Sequence, residues 1–217
     1  MSELPPTHRR FKIFAQPIST TTNRSHAVKS TEKRRCGWCN SEPIYIAYHD
    51  QEWGVPLRDS RALFELLCLE GQQAGLSWIT VLKKREHYRK LFAGFVSEKI
   101  ARFSDDKLET LLLDPGIIRN RLKVYGIRKN ALAMLALQKE MGSFSDYLWN
   151  FVGGKTHRNS PMTVREIPTA TAESDAMAKA LKKRGFTFVG TTICYAFMQA
   201  SGMVNDHTRG CWRFGKR

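Results

Sequence analysis

Glu70 arrives where a core residue is due. The run from Ser60 to Leu69 places apolar residues at 63, 64, 66, 67 and 69, a spacing that suits a helix buried on most sides. A carboxylate ending such a helix must be hydrogen-bonded, ion-paired or turned to a pocket, because an isolated buried charge is too costly to persist. The surrounding stretch, Cys68-Leu-Glu-Gly-Gln-Gln-Ala-Gly-Leu-Ser-Trp78, adds two amides and two glycines to that carboxylate. Ala74-Gly75-Leu76 reads as a loop with an apolar tip, and Ser77 as the cap of a second helix from Trp78 through Leu82 to about Phe92. The plainer alternative for Glu70 is a helix-terminal carboxylate paired with a lysine or arginine.

Two further groups of residues have chemical potential. Pro43 suits the first position of a short helix, on which Tyr45, Tyr48, His49, Glu52 and Trp53 share one face at three- and four-residue spacings. With Trp38 and Trp78 this face could line a pocket for a flat ring, although a plain aromatic core would read the same way. Cys36 and His49 near the start of the folded part, with His207-x-x-x-Cys211 near its end, make a Cys₂His₂ set of the kind Zn²⁺ takes in closed tetrahedral sites. Cys39 competes for one position, since Cys36-x-x-Cys39 is itself a ligand spacing. Cys68 and Cys194 sit in apolar helices and read as core. An odd count of five cysteines fits reduced thiols and a metal better than a disulfide framework.

The elements that must hold these residues are helical throughout. Ser97 and Ser104 stand where N-caps belong, and Leu108 to Leu113 is a short apolar helix ended by Asp114-Pro115-Gly116. A longer helix runs from about Asn120 to Met141, stopped by Gly142. Helix, tight turn and helix over about 108–141, with Arg119, Arg121 and Lys123 near the second start, resembles a helix-hairpin-helix. There the turn at Gly116 and the following N-terminus would hold a DNA phosphate. Any αα-hairpin with solvated basic residues would have the same pattern. Ser143 caps a helix through Phe151, and a loop runs from Gly153-Gly154 to about Thr171. Ser174 caps the next helix, which ends at Gly185, and Gly190 to Ser201 is the last. No β-alternation of useful length and no internal repeat occurs, so the fold class is all-α.

Charge points the same way. The 217 residues carry a net +15, and residues 1–35, with eight Lys/Arg against two acidic residues, leave +9 on the remainder. A folded part that basic suits a polyanion, most simply nucleic acid. Residues 1–35, rich in Pro, Ser, Thr, Lys and Arg, read as a disordered basic N-terminal extension, and 36–217 as the folded domain. No run approaches a membrane span and no secretory signal core is present. No Gly-rich phosphate loop follows a strand, and no serine sits in a nucleophile elbow.

From Arg35 to about Cys211 the chain closely resembles the 3-methyladenine DNA glycosylase I family, a zinc-containing branch of the helix-hairpin-helix glycosylases. The resemblance rests on Arg35-Cys-Gly-Trp38, Tyr48-His-Asp-x-Glu-Trp-Gly-Val-Pro56, the Cys68 to Glu86 stretch, Leu181-Lys-Lys-Arg-Gly-Phe186, Phe188-Val-Gly-Thr-Thr-Ile-Cys-Tyr195 and Val204-Asn-Asp-His207. It implies one structural zinc on Cys36, His49, His207 and Cys211, preferring Cys36 to Cys39. It implies that Glu70 and Tyr48 hydrogen-bond the excised base, that Trp38, Tyr45, Trp53 and Trp78 wall the pocket, and that Leu76, presented by Gly75, fills the gap in the duplex. Gly116, Arg119 and Lys123 would meet the DNA backbone. The implied activity is hydrolysis of the N-glycosidic bond of 3-methyladenine in double-stranded alkylated DNA after base flipping. No lysine lies in the pocket motif, so no lyase step is expected. A monomer in the bacterial cytoplasm, associated with the nucleoid, completes the expectation. The Asp that wider relatives use after the hairpin is missing, and Asp146 is not assigned its role.

Overall fold

The computed structural model describes residues 33–216. The extension up to Glu32 lies outside them, whereas Arg34 and Arg35 join the body: Trp212 N–H donates to the Arg34 carbonyl at 2.8 Å, and Arg35 chelates Asp50 at 2.7 and 2.9 Å.

Ten α-helices make up the described body: α1 Pro43–Gln51, α2 Ser60–Gln73, α3 Trp78–Leu82, α4 Arg85–Leu91, α5 Ser97–Ile100, α6 Asp105–Leu112, α7 Arg121–Met141, α8 Phe144–Trp149, α9 Ala172–Lys183 and α10 Thr191–Ala200. The central one is α2. Its N-terminus is capped by Asp59, whose carboxylate accepts from Ala62 N–H at 2.8 Å, and it packs on α10, α7, α3 and α8. Leu63, Phe64, Leu67, Cys68 and Leu69 are all buried, as their spacing requires. The only strands among the described residues are β1 His157–Arg158 and β2 Val204–Asn205, a parallel pair that ties the long 153–171 loop to the C-terminal segment.

The structure corrects several helix boundaries. The expected helix from Trp78 to Phe92 is two, broken at Lys83-Lys84, because three β-branched residues in a row, Ile79-Thr80-Val81, propagate a helix poorly. Ser77 does not cap α3 with its side chain; its Oγ pairs with Thr80 Oγ1 at 2.7 Å. Ser97 lies inside α5, after Val96. Ser174 is the third residue of α9 and forms a reciprocal capping box with Thr171, the actual N-cap.

After α10 the chain reverses through Gly202 at φ +70°, where a Cβ would stand 2.4 Å from the Val55 carbonyl carbon. No side chain fits there. Gly202→Ala is expected to cost roughly 2–4 kcal/mol through strain and overpacking, measured as a fall in the denaturation midpoint at unchanged slope.

Candidate active site and metal centre

A cavity of about 350 Å³ opens between α1, α2, α3 and α10. Trp38, Tyr45, Tyr48, Trp53, Glu70 and Trp78 all line it, so the six residues that the spacing singled out converge on one place. Most of the rings pack edge-to-face or tilted, while Tyr45 and Tyr48 stack at 20°. Trp38 and Trp53 stand 5.0 Å apart at 69°, and Tyr48 and Trp78 lie 5.5 Å apart.

Glu70 sits in the last turn of α2, only 3% exposed. Among the described residues no group hydrogen-bonds or ion-pairs its carboxyl, which rules out the lysine or arginine pairing. Burial alone pushes it up to about 8, so at neutral pH without a cation beside it the group is largely protonated. Its negative charge is therefore conditional and not fixed. The Tyr48 phenol is held well above its ordinary range, first by burial and then by Glu70, and no protein group bonds its hydroxyl among the described residues. Trp78 Nε1 is likewise buried without an acceptor. A carboxyl, a phenol and an indole N–H thus border one aromatic cavity with no protein partners. In the interior such groups are normally satisfied, which marks the cavity as a polar-ring binding site.

Part of the wall was not foreseen. Val164, Ile167 and Pro168 reach it from the 153–171 loop, which has no periodicity to betray them. Thr192, Tyr195, Ala196 and Gln199 line it from α10 at i, i+3, i+4 and i+7, a stripe legible in principle. Behind them the buried Asp206 accepts hydrogen bonds from Tyr195 at 2.7 Å, Gln199 at 2.6 Å and Asn159 at 2.7 Å.

Beside the pocket, Cys36, His49, His207 and Cys211 are all buried with their donor atoms within 4.8 Å of one another. Cys36 Sγ lies 3.5 Å from His207 Nδ1, and Cys211 Sγ lies 3.4 Å from His49 Nε2 and 3.6 Å from His207 Nδ1. Metal–ligand bonds of about 2.0–2.3 Å at tetrahedral angles put donors about 3.3–3.8 Å apart, so this group could hold a metal ion. The remaining ring nitrogens have their own partners. His49 Nδ1 faces Asp50 at 2.8 Å and His207 Nε2 faces the Trp53 carbonyl at 3.1 Å, which presents the other nitrogen of each ring to the centre. Asp50 is fixed in turn by Arg35 and Trp212. The Cys36 thiol is pushed up by its hydrogen bond to Cys211 and by burial, while Cys211 is held down by the same bond and by the imidazoles. Cys39 faces away, toward the carbonyls of Asn40 and Tyr45. Trp53 packs against the His207 ring at 4.7 Å and Trp38 against His49 at 5.2 Å, so the cluster buttresses two walls of the pocket.

In a smaller recess that shares Glu70, Gln73, Thr192 and Ala196 with the cavity, Gly75 takes φ +79° and Leu76 stands 43% exposed at the loop tip. The hairpin lies between α6 and α7. Its Gly116 N–H donates to Asp114 Oδ1 at 2.7 Å, and a Cβ there would meet His87 at 2.1 Å. That amide is thus already engaged. Arg119 is exposed beside it. Lys123 corrects the expectation of a phosphate contact: it is 6% exposed, and its ammonium donates to the Gln72 and Ala74 carbonyls at 2.7 Å each.

Known proteins share both sequence and shape. A sequence model of the Methyladenine glycosylase family matches residues 38–214. The chain is 57% identical over 177 residues to DNA-3-methyladenine glycosylase 1 of Escherichia coli (strain K12), covering 82% of this chain and 95% of that protein. It is 52% identical over 177 residues to DNA-3-methyladenine glycosylase of Haemophilus influenzae, covering 82% and 96%. A structure of 3-methyladenine DNA glycosylase I from Staphylococcus aureus, which addresses 3-methyladenine recognition, superposes with a TM-score of 0.82 at 37% identity, covering 84% of this chain and 97% of that one.

Proposed function

This chain belongs to the methyladenine glycosylase family, and from that premise we propose that Glu70 and Tyr48 recognise the base in a pocket walled by Trp38, Tyr45, Trp53 and Trp78. The protein is a DNA-3-methyladenine glycosylase, a hydrolase of N-glycosyl bonds. One observation supports the residue assignment above others: a buried carboxyl with no partner among the described residues, faced by aromatic rings.

Methylation at N3 gives the adenine a positive charge while it is still attached to the sugar. The C1′–N9 pair then leaves with a neutral base, so little acid catalysis is needed, and water adds to C1′ and loses a proton. The protein's part is to extrude the nucleotide and hold the base. The cation draws Glu70 into its ionised form, and the carboxylate accepts from the exocyclic amine. Guanine presents a carbonyl at that position, which would set lone pair against lone pair. Among the described residues no lysine lines the cavity, which supports hydrolysis without a Schiff-base strand-cleavage step.

Leu76 on its Gly75 turn fills the space left in double-stranded DNA, and Arg119, exposed beside the Gly116 turn, meets the phosphates. The enzyme works as a monomer on the bacterial nucleoid in the cytoplasm; no helix of the described residues is long and apolar enough to cross a membrane. Zinc on Cys36, His49, His207 and Cys211 supplies stability, as four protein donors leave no open position for chemistry.

Base release from methylated DNA tests the reading. The expected result is release of 3-methyladenine with a preference of at least about tenfold over 7-methylguanine, the consequence of leaving a buried acceptor unpaired. Equal release of the two bases would remove Glu70 from the recognition step.

A further inference from the structure

Lys123 is a cation that never reaches the surface it was expected to serve. Its ammonium closes the C-terminus of α2, taking the carbonyls of Gln72 and Ala74 that the helix leaves without internal partners. Gln72, itself 1% exposed, answers with its amide: Nε2 donates to the Lys123 carbonyl at 3.2 Å. The other end of that amide, Oε1, accepts from Tyr88 Oη at 2.9 Å. Tyr88 Oη in turn accepts from the Ile118 N–H at 3.0 Å, inside the hairpin turn.

The chain of bonds is continuous, buried around Gln72 and partly buried at its two ends. It starts at the hairpin between α6 and α7, crosses Tyr88 and Gln72, and ends on Ala74, one residue before the Gly75-Leu76 tip and four after Glu70. Ile118 N–H, Tyr88 Oη and Gln72 Nε2 each donate to one acceptor and the Lys123 ammonium to two backbone carbonyls, so a shift of the hairpin relative to α2 would strand these polar atoms. A solvated lysine at the same helical position would impose no such register.

We propose that Lys123, linked through Gln72 to Tyr88, is a positioning residue that holds the Leu76 loop and the Glu70 turn in register with the hairpin, so that docking on the DNA backbone sets the wedge for base extrusion. The proposal rests on the reading of Leu76 as the group that fills the duplex gap. Lys123 touches neither base nor phosphate.

The test uses the full chain and one methylated DNA, as duplex and after strand separation, with free 3-methyladenine binding followed by tryptophan fluorescence. Lys123→Met keeps the aliphatic stem and removes both ammonium bonds. Tyr88→Phe severs the link at the hairpin end and leaves the Lys123 bonds intact, which keeps the test decisive if Lys123→Met does not fold. For either variant, 3-methyladenine release from duplex is expected to fall by about tenfold in kcat, with KM for duplex, release from separated strands and free-base affinity all within about twofold. An equal fall on duplex and separated strands would show mere structural support of the pocket, and no fall on duplex would show no role; either overturns the proposal. Leu76→Ala run alongside separates the two layers. If it shows no duplex-specific loss, the wedge reading fails and the proposal with it; if it does and the other variants do not, only the proposal fails.

Discussion

Replacing Glu70 by glutamine is expected to remove most of the excision activity and to make the protein more stable. Glutamine keeps the shape and the carbonyl acceptor but has no charge to offer a methylated base. Loss of a charge-assisted hydrogen bond in a dry site corresponds to roughly ten- to hundredfold in kcat/KM. The stability change follows from linkage. Burial moves the Glu70 carboxyl from the ordinary glutamate value of 4.5 to about 8, so between those values the folded state holds a proton that the unfolded chain has released. Folding stability therefore falls as pH rises through that window, by roughly 3 kcal/mol at pH 7 as an upper bound. Glu70→Gln removes this penalty, and its gain in melting temperature is expected to be larger at pH 8.5 than at pH 5. For the wild type, kcat/KM is expected to climb as pH rises toward about 8 and then level off, because the carboxylate is the competent form; the variant's profile is expected to lack this step. A variant as active as the wild type, or one destabilised at every pH, would make Glu70 a structural residue only.

Removing a metal ligand is expected to have the largest effect on folding. Cys36→Ser leaves a hard, neutral hydroxyl in place of a thiolate and should abolish stoichiometric zinc binding, with a loss of at least about 4 kcal/mol of stability. The four donors join the first residues of the described body to its last, so their failure frees both ends. Trp38 and Trp53 lean on His49 and His207, and pocket affinity for free 3-methyladenine should drop in parallel with zinc content. Cys39→Ser is the control, expected to retain the metal, since its sulfur faces backbone carbonyls 3.6 and 3.7 Å away. Elemental analysis of the purified proteins and thermal unfolding with and without chelator measure both. A wild type without zinc, or a Cys36→Ser protein that keeps it, would refute the assignment.

Much of this could be read along the chain. Apolar periodicity determined the helical class, the buried face of α2 and the anomaly of Glu70, because those depend on local spacing and on the cost of burying a charge. The four cysteine and histidine positions were recognisable by chemical type, and the aromatic set by its helical spacing. Only the tertiary structure chose between readings that local pattern leaves equal. It turned Cys39 outward and Cys36 inward, and it brought α10 and the 153–171 loop to the pocket from the C-terminal half of the sequence. It also took Lys123 from the expected phosphate contact to the end of α2. An exposed and a buried lysine have the same place in a helical period; what separates them is whether unpaired carbonyls of another helix lie within reach of the ammonium, and that is decided only when α2 and α7 pack.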